Sequence, residues 1–336
     1  MKIFYPIVYL GILAAGAIVQ LIPLQKELAV QDVTARMQAA GSKLLITDAA
    51  MQDMANEASK LLGNIPVYDP SLDKEAFSEK APEYCGFSIS NHKDAESTVG
   101  FYNRTSGSTG GKMKTVITTH SHFIAALDAT LRTVPLNTDP DNDVWLSTLS
   151  LGFFINTKLN IGLNILLGIP VILMNEAFNA TNFGIIGRHR VSFLFIPPPV
   201  AISIAGMESE EAKNVDVSSV KWLLSAGAAM HEGVSQAVSK NLNNTHLDLE
   251  WGTSETLLIA MQTDGHSSPP GSAGKLVNGI EAMVVDTYTG KPVGPRVDGE
   301  IFVRNSAARF AGYKGDQDAN QNVEFCQIGQ APATGL

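Results

Sequence analysis

The sequence predicts an α/β fold, with parallel βαβ units followed by a smaller β-rich part, and three observations predict it. Strand-like and helix-like segments alternate along most of the chain. Over 336 residues, 45% hydrophobic and 17% charged is the balance of a globular chain with a sizeable core, enough for one large or two ordinary domains. From Gly265 onward the character changes to Gly/Pro-rich turns between short strands.

The first stretch, residues 3–24, carries no charge, follows Lys2 and includes Ala14-Ala15-Gly16-Ala17. Its length suits a membrane span and its layout a signal peptide. Against both stand Pro6, Gly11, Gly16 and a polar helix that follows without basic flanks. The stretch is therefore expected to be a buried helix and strand, apolar all round. Helical spacing of Val30, Val33 and Met37 predicts a helix over 26–40, capped by Gly41. A strand over 43–47, a helix over 49–62 and a strand over 65–68 continue the alternation. Residues 69–96 are polar, charged and without period, so they read as a long surface connection to a strand at 99–102.

Extended sequence at 115–119 leads into a helix opening at His120 and running to about 133. The second series places strands at 144–148, 170–174 and 192–196, with helices over 154–167 and up to Gly187 between them. Pro197-Pro198-Pro199 stops the last of these strands. A strand at 221–225, the run Ala226-Gly227-Ala228-Ala229, a helix over 231–242 and a strand at 247–250 follow. The β-rich part holds strands at 282–286 and 300–303.

Residues 105–114 contain three glycines, four hydroxyl residues and two lysines. Glycine lets backbone N–H groups approach an anion, hydroxyls add donors and lysine adds charge, so Thr105, Ser106, Gly107, Ser108, Thr109, Gly110, Lys112 and Lys114 form a candidate phosphate loop. A Gly/Ser linker is the alternative reading, and the strand and helix patterns abutting the loop on both sides argue against it. The loop is not a Walker A motif, because Lys112 is followed by Met113 and no glycine lies five residues before Gly111. Ser108 is not the nucleophile of a Gly-x-Ser-x-Gly elbow, since Ser106 stands where glycine is required.

A net charge of −9 argues against non-specific binding to nucleic acid or anionic lipid, so a polyanionic ligand must be held by a local basic patch such as Arg104, Lys112 and Lys114. Two distant cysteines, Cys85 and Cys326, form neither a disulfide framework nor a zinc pair, so a reducing, cytoplasmic setting is the default. His120 and His122 lack a third ligand at motif spacing and read as helix-start histidines. The hexapeptide 251–256, Trp-Gly-Thr-Ser-Glu-Thr, could by itself be a strand-to-helix turn with an N-terminal cap.

Taken together, these stretches resemble the large N-terminal domain of the adenylate-forming (AMP-binding) superfamily, of the acyl-CoA and aryl-CoA ligase type that includes coumarate-CoA ligase. The loop is similar to the family's Ser/Thr/Gly loop, and residues 251–256 to its Tyr-Gly-Met-Thr-Glu motif. Residues 10–16, 195–198, 225–229, 271–279, 299–304 and Gly312-Tyr313 match further family stretches. The resemblance implies an AMP-binding large domain over 1–313, in parts 1–104, 105–264 and 265–313, with a non-family tail at 314–336. It implies ATP, magnesium and CoA, with a carboxylic acid as substrate and no nucleic-acid or membrane partner.

Residue by residue, it implies that 105–110 cradle the phosphates and that Ser254 contacts the α-phosphate. It further implies that Glu255 ligates magnesium, Trp251 stacks on the adenine, Gly252 belongs to the nucleotide site, Gly227, Ala228 and Ala229 wall the pocket, and His120 shapes the acyl site. The sequence departs from the family where Met113 takes the loop lysine's place, with Lys112 and Lys114 on either side. The family's Thr-Gly-Asp motif and small C-terminal domain find no match, and Met1 falls partway into the family pattern. A truncated ligase fragment with little or no activity of its own is therefore expected. The alternatives are a non-catalytic nucleotide- or acyl-binding remnant and a protein anchored by residues 3–24.

Overall fold

The charge-free N-terminal stretch folds as helix α1 (Tyr5–Ala14) and strand β1 (Val19–Gln20) in a computed structural model. The model describes residues 4–23, 28–72, 86–105, 113–174, 176, 178–207, 214–263, 268–269, 271–321 and 323. Pro6 sits in the first turn of α1, where a missing N–H has no helical partner to lose. The expectation of a helix buried on all sides is corrected: only Tyr9 is buried, while Ile7 and Leu10 are 54% and 43% exposed. Among the described residues no helix is long and apolar enough to cross a membrane.

Helix α2 (Val30–Ala40) buries Val33, Met37 and Ala40, and Gly41 ends it in the left-handed conformation. Strand β2 (Leu45–Ile46), helix α3 (Gln52–Leu61) and strand β3 (Val67–Tyr68) form one parallel βαβ unit. The charged connection is not wholly irregular. It holds α4 (His92–Ser97), started by Asn91, whose side chain accepts the Asp94 N–H at 3.0 Å. Strands β4 (Val99–Arg104) and β5 (Thr115–Thr119) pair antiparallel, and β1 joins β4 in parallel to give a sheet of order β1-β4-β5.

Helix α5 (His120–Leu131) starts where the Thr119 hydroxyl caps the His122 N–H. After β6 (Trp145–Ser147) the expected helix runs in three pieces: α6 (Phe154–Thr157), a π-helical segment (Lys158–Leu163) and α7 (Asn164–Leu167). Strand β7 (Val171–Leu173), helix α8 (Ile185–His189) and strand β8 (Phe193–Phe195) follow. The prolines that stop β8 also open α9 (Pro198–Ala205), since proline's fixed φ suits a first helical turn.

Strand β9 (Trp222–Ser225), helix α10 (Glu232–Asn241) and strand β10 (Leu247–Trp251) complete the parallel series. Strands β11 (Ala260–Met261) and β12 (Lys275–Leu276) then extend the same sheet antiparallel, so it is mixed, in the order β12-β11-β10-β9-β8-β6-β7. The β-rich end is the antiparallel pair β13 (Ile280–Val285) and β14 (Glu300–Asn305), followed by the short helix α11 (Gln317–Gln321).

Both faces of the large sheet are covered, as its parallel strands require. On one face Trp145, Phe193, Trp222 and Leu224 meet Phe123 and Leu127 of α5 and Leu159, Ile161 and Leu163 of the π-helical segment. On the other, Leu146, Leu194, Leu223 and Leu247 meet Ile186, Ala201, Ile204 and Val238. This arrangement leaves the carboxyl ends of β9 and β10 side by side, the usual place for a ligand in an open α/β sheet.

Candidate functional site

Pairing of β4 with β5 brings the two ends of the glycine-rich stretch together. The Thr105 N–H donates to the Lys114 carbonyl at 3.1 Å, and the Lys114 N–H donates to Thr105 Oγ1 at 3.0 Å. Ser106, Gly107, Ser108, Thr109, Gly110 and Lys112 lie outside the described residues. The loop's base is thus a closed hairpin neck carrying Lys114.

The turn after β10 meets that neck. Gly252 is required there, because a Cβ would stand 2.1 Å from the Leu257 carbonyl oxygen. Thr253 Oγ1 accepts the N–H groups of Glu255 at 3.3 Å and Thr256 at 3.2 Å, the local capping that the turn's residue types favour. Ser254 Oγ donates to the Arg104 carbonyl at 3.0 Å, tying the turn to the last residue of β4. Glu255 accepts the Tyr313 hydroxyl at 2.8 Å.

Tyr313 belongs to a third segment, lying antiparallel against β5. The Ile117 N–H donates to the Gly312 carbonyl at 3.0 Å and the Lys314 N–H to the Thr115 carbonyl at 2.8 Å. Lys114 Nζ stands 4.7 Å from the centroid of the Tyr313 ring, a cation–π distance. Lys314 Nζ donates to the Tyr102 hydroxyl at 3.0 Å. Burial first, and then the bond to Glu255 and its charge, push the Tyr313 hydroxyl well above the usual phenol range, so it remains a donor.

Beside this point lie Trp251, part-buried at the end of β10, and the exposed Gly227, Ala228 and Ala229 just beyond β9. The register that pairs Leu249 with Ser225 sets both on the same sheet edge, and Trp251 and Ala226 pack on one apolar cluster. His120 stands at the start of α5: its ring sits 6.2 Å from that of Phe101 and close over Gly100. Among the described residues no three His, Cys, Asp or Glu side chains converge, and the turn itself carries one carboxylate that could meet a cation, Glu255. One carboxylate suits magnesium, a hard ion that keeps several waters and takes phosphate oxygens.

Two features had no signal in the sequence. One is the Lys158–Glu250 ion pair, 2.8 Å apart and 2% exposed at both side chains, which joins the π-helical segment to β10 next to Trp251. The other is His122, buried at 1% exposure. Burial holds its pKa below 6.5, against a smaller opposing effect of the Thr256 backbone, and burial also lowers that of His120. A neutral folded imidazole and a protonatable unfolded one mean that the unfolded chain binds the extra proton. Stability is therefore fully present above pH 6.5 and declines as the pH falls below it. Thermal melts between pH 7.5 and 5 should show this decline, and His122→Gln should flatten it; parallel curves would refute the assignment.

Comparison with known proteins fits this geometry. A family model described as AMP-binding enzyme matches residues 1–314. The 4-coumarate--CoA ligase 1 of Oryza sativa subsp. japonica is 27% identical over 51% of this chain and 30% of its own length. The peroxisomal OPC-8:0-CoA ligase 1 of Arabidopsis thaliana is 21% identical over 96% of this chain and 59% of its own. The chain thus spans well under two thirds of these relatives. Among solved structures, ATP-bound MatB from Rhodopseudomonas palustris superposes with a TM-score of 0.78 at 16% identity, covering 94% of this chain and 60% of that one. The N-terminal domain of FACL13 from Mycobacterium tuberculosis gives 0.77 at 19% identity, over 94% and 76%.

Proposed function

Because this chain belongs to the AMP-binding enzyme family, we propose that it binds MgATP where the loop neck, the 251–256 turn and Tyr313 meet, and that this site serves carboxylic-acid activation. The reaction is attack of a carboxylate oxygen on the α-phosphorus of ATP, releasing pyrophosphate and leaving an acyl adenylate. A thiol such as that of CoA then displaces AMP to give a thioester. Activation is needed because oxide is a poor leaving group and AMP a good one.

The observation that carries the reading is the pair of bonds Ser254–Arg104 and Glu255–Tyr313, which draw three distant segments to one point. Ser254 Oγ exchanges its bond to the Arg104 carbonyl for an α-phosphate oxygen, and Glu255 holds the magnesium. The metal, when bound, neutralises phosphate charge. Thr105 and the loop donors take the outer phosphates. Of the two lysines beside Met113, Lys114 stands at the neck over the Tyr313 ring, which supports it as the phosphate contact. Trp251 offers the adenine an aromatic face, with Gly227, Ala228 and Ala229 as the opposite wall and His120 toward the acyl group. Two cysteines far apart in sequence fit a reducing compartment such as the cytoplasm.

For these 336 residues assayed as they stand, binding is expected to outrun turnover. The loop lysine is out of register, and removing one aimed donor from an anionic transition state costs about a hundred- to a thousandfold. Titration calorimetry with ATP and magnesium, followed by acid-dependent exchange of pyrophosphate into ATP, tests both parts. Measurable ATP binding with weak exchange is the expected result. Strong exchange would establish a competent enzyme, and no ATP binding would defeat the reading.

A further inference from the structure

Tyr313 is held more firmly than a side chain that merely fills space. Its N–H donates to Asn320 Oδ1 at 2.7 Å, and its carbonyl accepts Asn320 Nδ2 at 2.8 Å. It bridges Val116 on β5, and the bonds of Gly312 and Lys314 to β5 secure it on both sides. Gly312 is forced by this arrangement: its φ is +99°, and a Cβ would lie 2.9 Å from Asn320 Oδ1. Phe310 supports the ring edge-on at 5.1 Å, with Lys114 at 4.7 Å from its centroid. A tyrosine fixed by backbone, neighbour ring and cation presents its hydroxyl at one place, and that place is Glu255 Oε1, 2.8 Å away.

Glu255 is equally fixed along its backbone by Thr253 and by the Ser254–Arg104 bond next to it. What its backbone does not determine is the rotation of the carboxylate. A hydroxyl on one oxygen removes that freedom and leaves the other oxygen to a cation, the arrangement in which an outer hydrogen bond orients a metal-binding carboxylate. We propose that Tyr313 is a positioning residue for metal binding: its hydroxyl pins Glu255 Oε1 so that Oε2 faces the magnesium of the nucleotide complex. This rests on the reading of Glu255 as the metal-binding residue.

Tyr313→Phe keeps the ring, its contact with Phe310 and its place under Lys114, and deletes only the hydroxyl. In the full chain, ATP binding is measured by calorimetry across a magnesium titration and again in EDTA, with a thermal melt of each variant. The expected result is a rise of about ten- to a hundredfold in the magnesium concentration for half-maximal ATP binding. Any change of ATP affinity in EDTA should be much smaller than the change in magnesium dependence, and the melt should show a folded protein with a single transition. A Glu255→Gln variant should show the same magnesium defect, and adding Tyr313→Phe to it should change nothing further, as for two residues acting as a unit. Identical magnesium curves for Tyr313→Phe and the unsubstituted chain would overturn the inference alone. Failure of the unsubstituted chain to bind ATP would overturn the site reading and this inference with it.

Discussion

Exchanging Lys158 for methionine should destabilise the fold by about 3–5 kcal/mol, the usual result of stranding one member of a buried ion pair. Lys158 Nζ donates to Glu250 Oε1 at 2.8 Å and to Oε2 at 3.0 Å, with both side chains 2% exposed. Without the ammonium, a carboxylate only 2% exposed would be left with no counterion. Replacing both members, Lys158→Met with Glu250→Leu, should recover most of the loss, because two well-packed apolar groups can equal a buried pair. Urea unfolding of the three proteins is the measurement. A single variant within about 1 kcal/mol of the parent, well short of that loss, would show that the pair is not closed to solvent.

Gly252→Ala is expected to do most damage at the site itself. Its new methyl would stand 2.1 Å from the Leu257 oxygen and 2.9 Å from its carbonyl carbon, both backbone atoms that cannot swing aside. Relief requires moving the 253–256 turn, and with it Ser254 and Glu255, by about the 1 Å that typically costs a hundredfold where groups are aligned for reaction. ATP affinity should fall with the displaced turn, while urea unfolding shows a loss of about 1–3 kcal/mol from overpacking. Alanine at Gly184, ahead of α8 and away from the site, is the control: nothing lies within 4 Å of its Cβ position and its φ is −58°. Equal effects of the two substitutions would disprove the steric account.

The elements that sequence reading located well are those whose signals are local. Gly41 as a helix stop, the opening of α5 at His120 and the alternation through β6, β8, β9 and β10 need only neighbours to be recognised. The misses have physical causes of two kinds. Where one residue type serves two roles, the reading kept one: Pro198 ends a strand and also starts α9, and the charges at 92–97 suit both a surface loop and a capped helix. Residues 3–24 were expected inside because they are apolar, yet in α1 only Tyr9 is fully buried, stacked 5.7 Å from Phe101, with Tyr5, Ile12 and Leu13 part-buried against the same core.

The second kind of miss concerns distance along the chain. The motif resemblance brought out Ser254 and Glu255, but nothing in their vicinity announces Tyr313, 58 residues on, as the hydroxyl on Glu255. Nor does anything near Glu250 announce Lys158, 92 residues earlier, as its counterion. Periodicity tells which face of an element is buried, whereas which two polar groups meet across a sheet depends on register and crossover, known only from the fold.

The antiparallel seating of residues 312–314 on β5 has a consequence for how the protein is made. During synthesis β5 leaves the ribosome some two hundred residues ahead of the segment that covers it, the span that separates Tyr102 from Lys314 being 212. Through that interval the outer side of β5 offers unpaired N–H and carbonyl groups to any extended chain nearby. The contacts that close the site are among those with the longest loops to order, so they are expected to form late in folding.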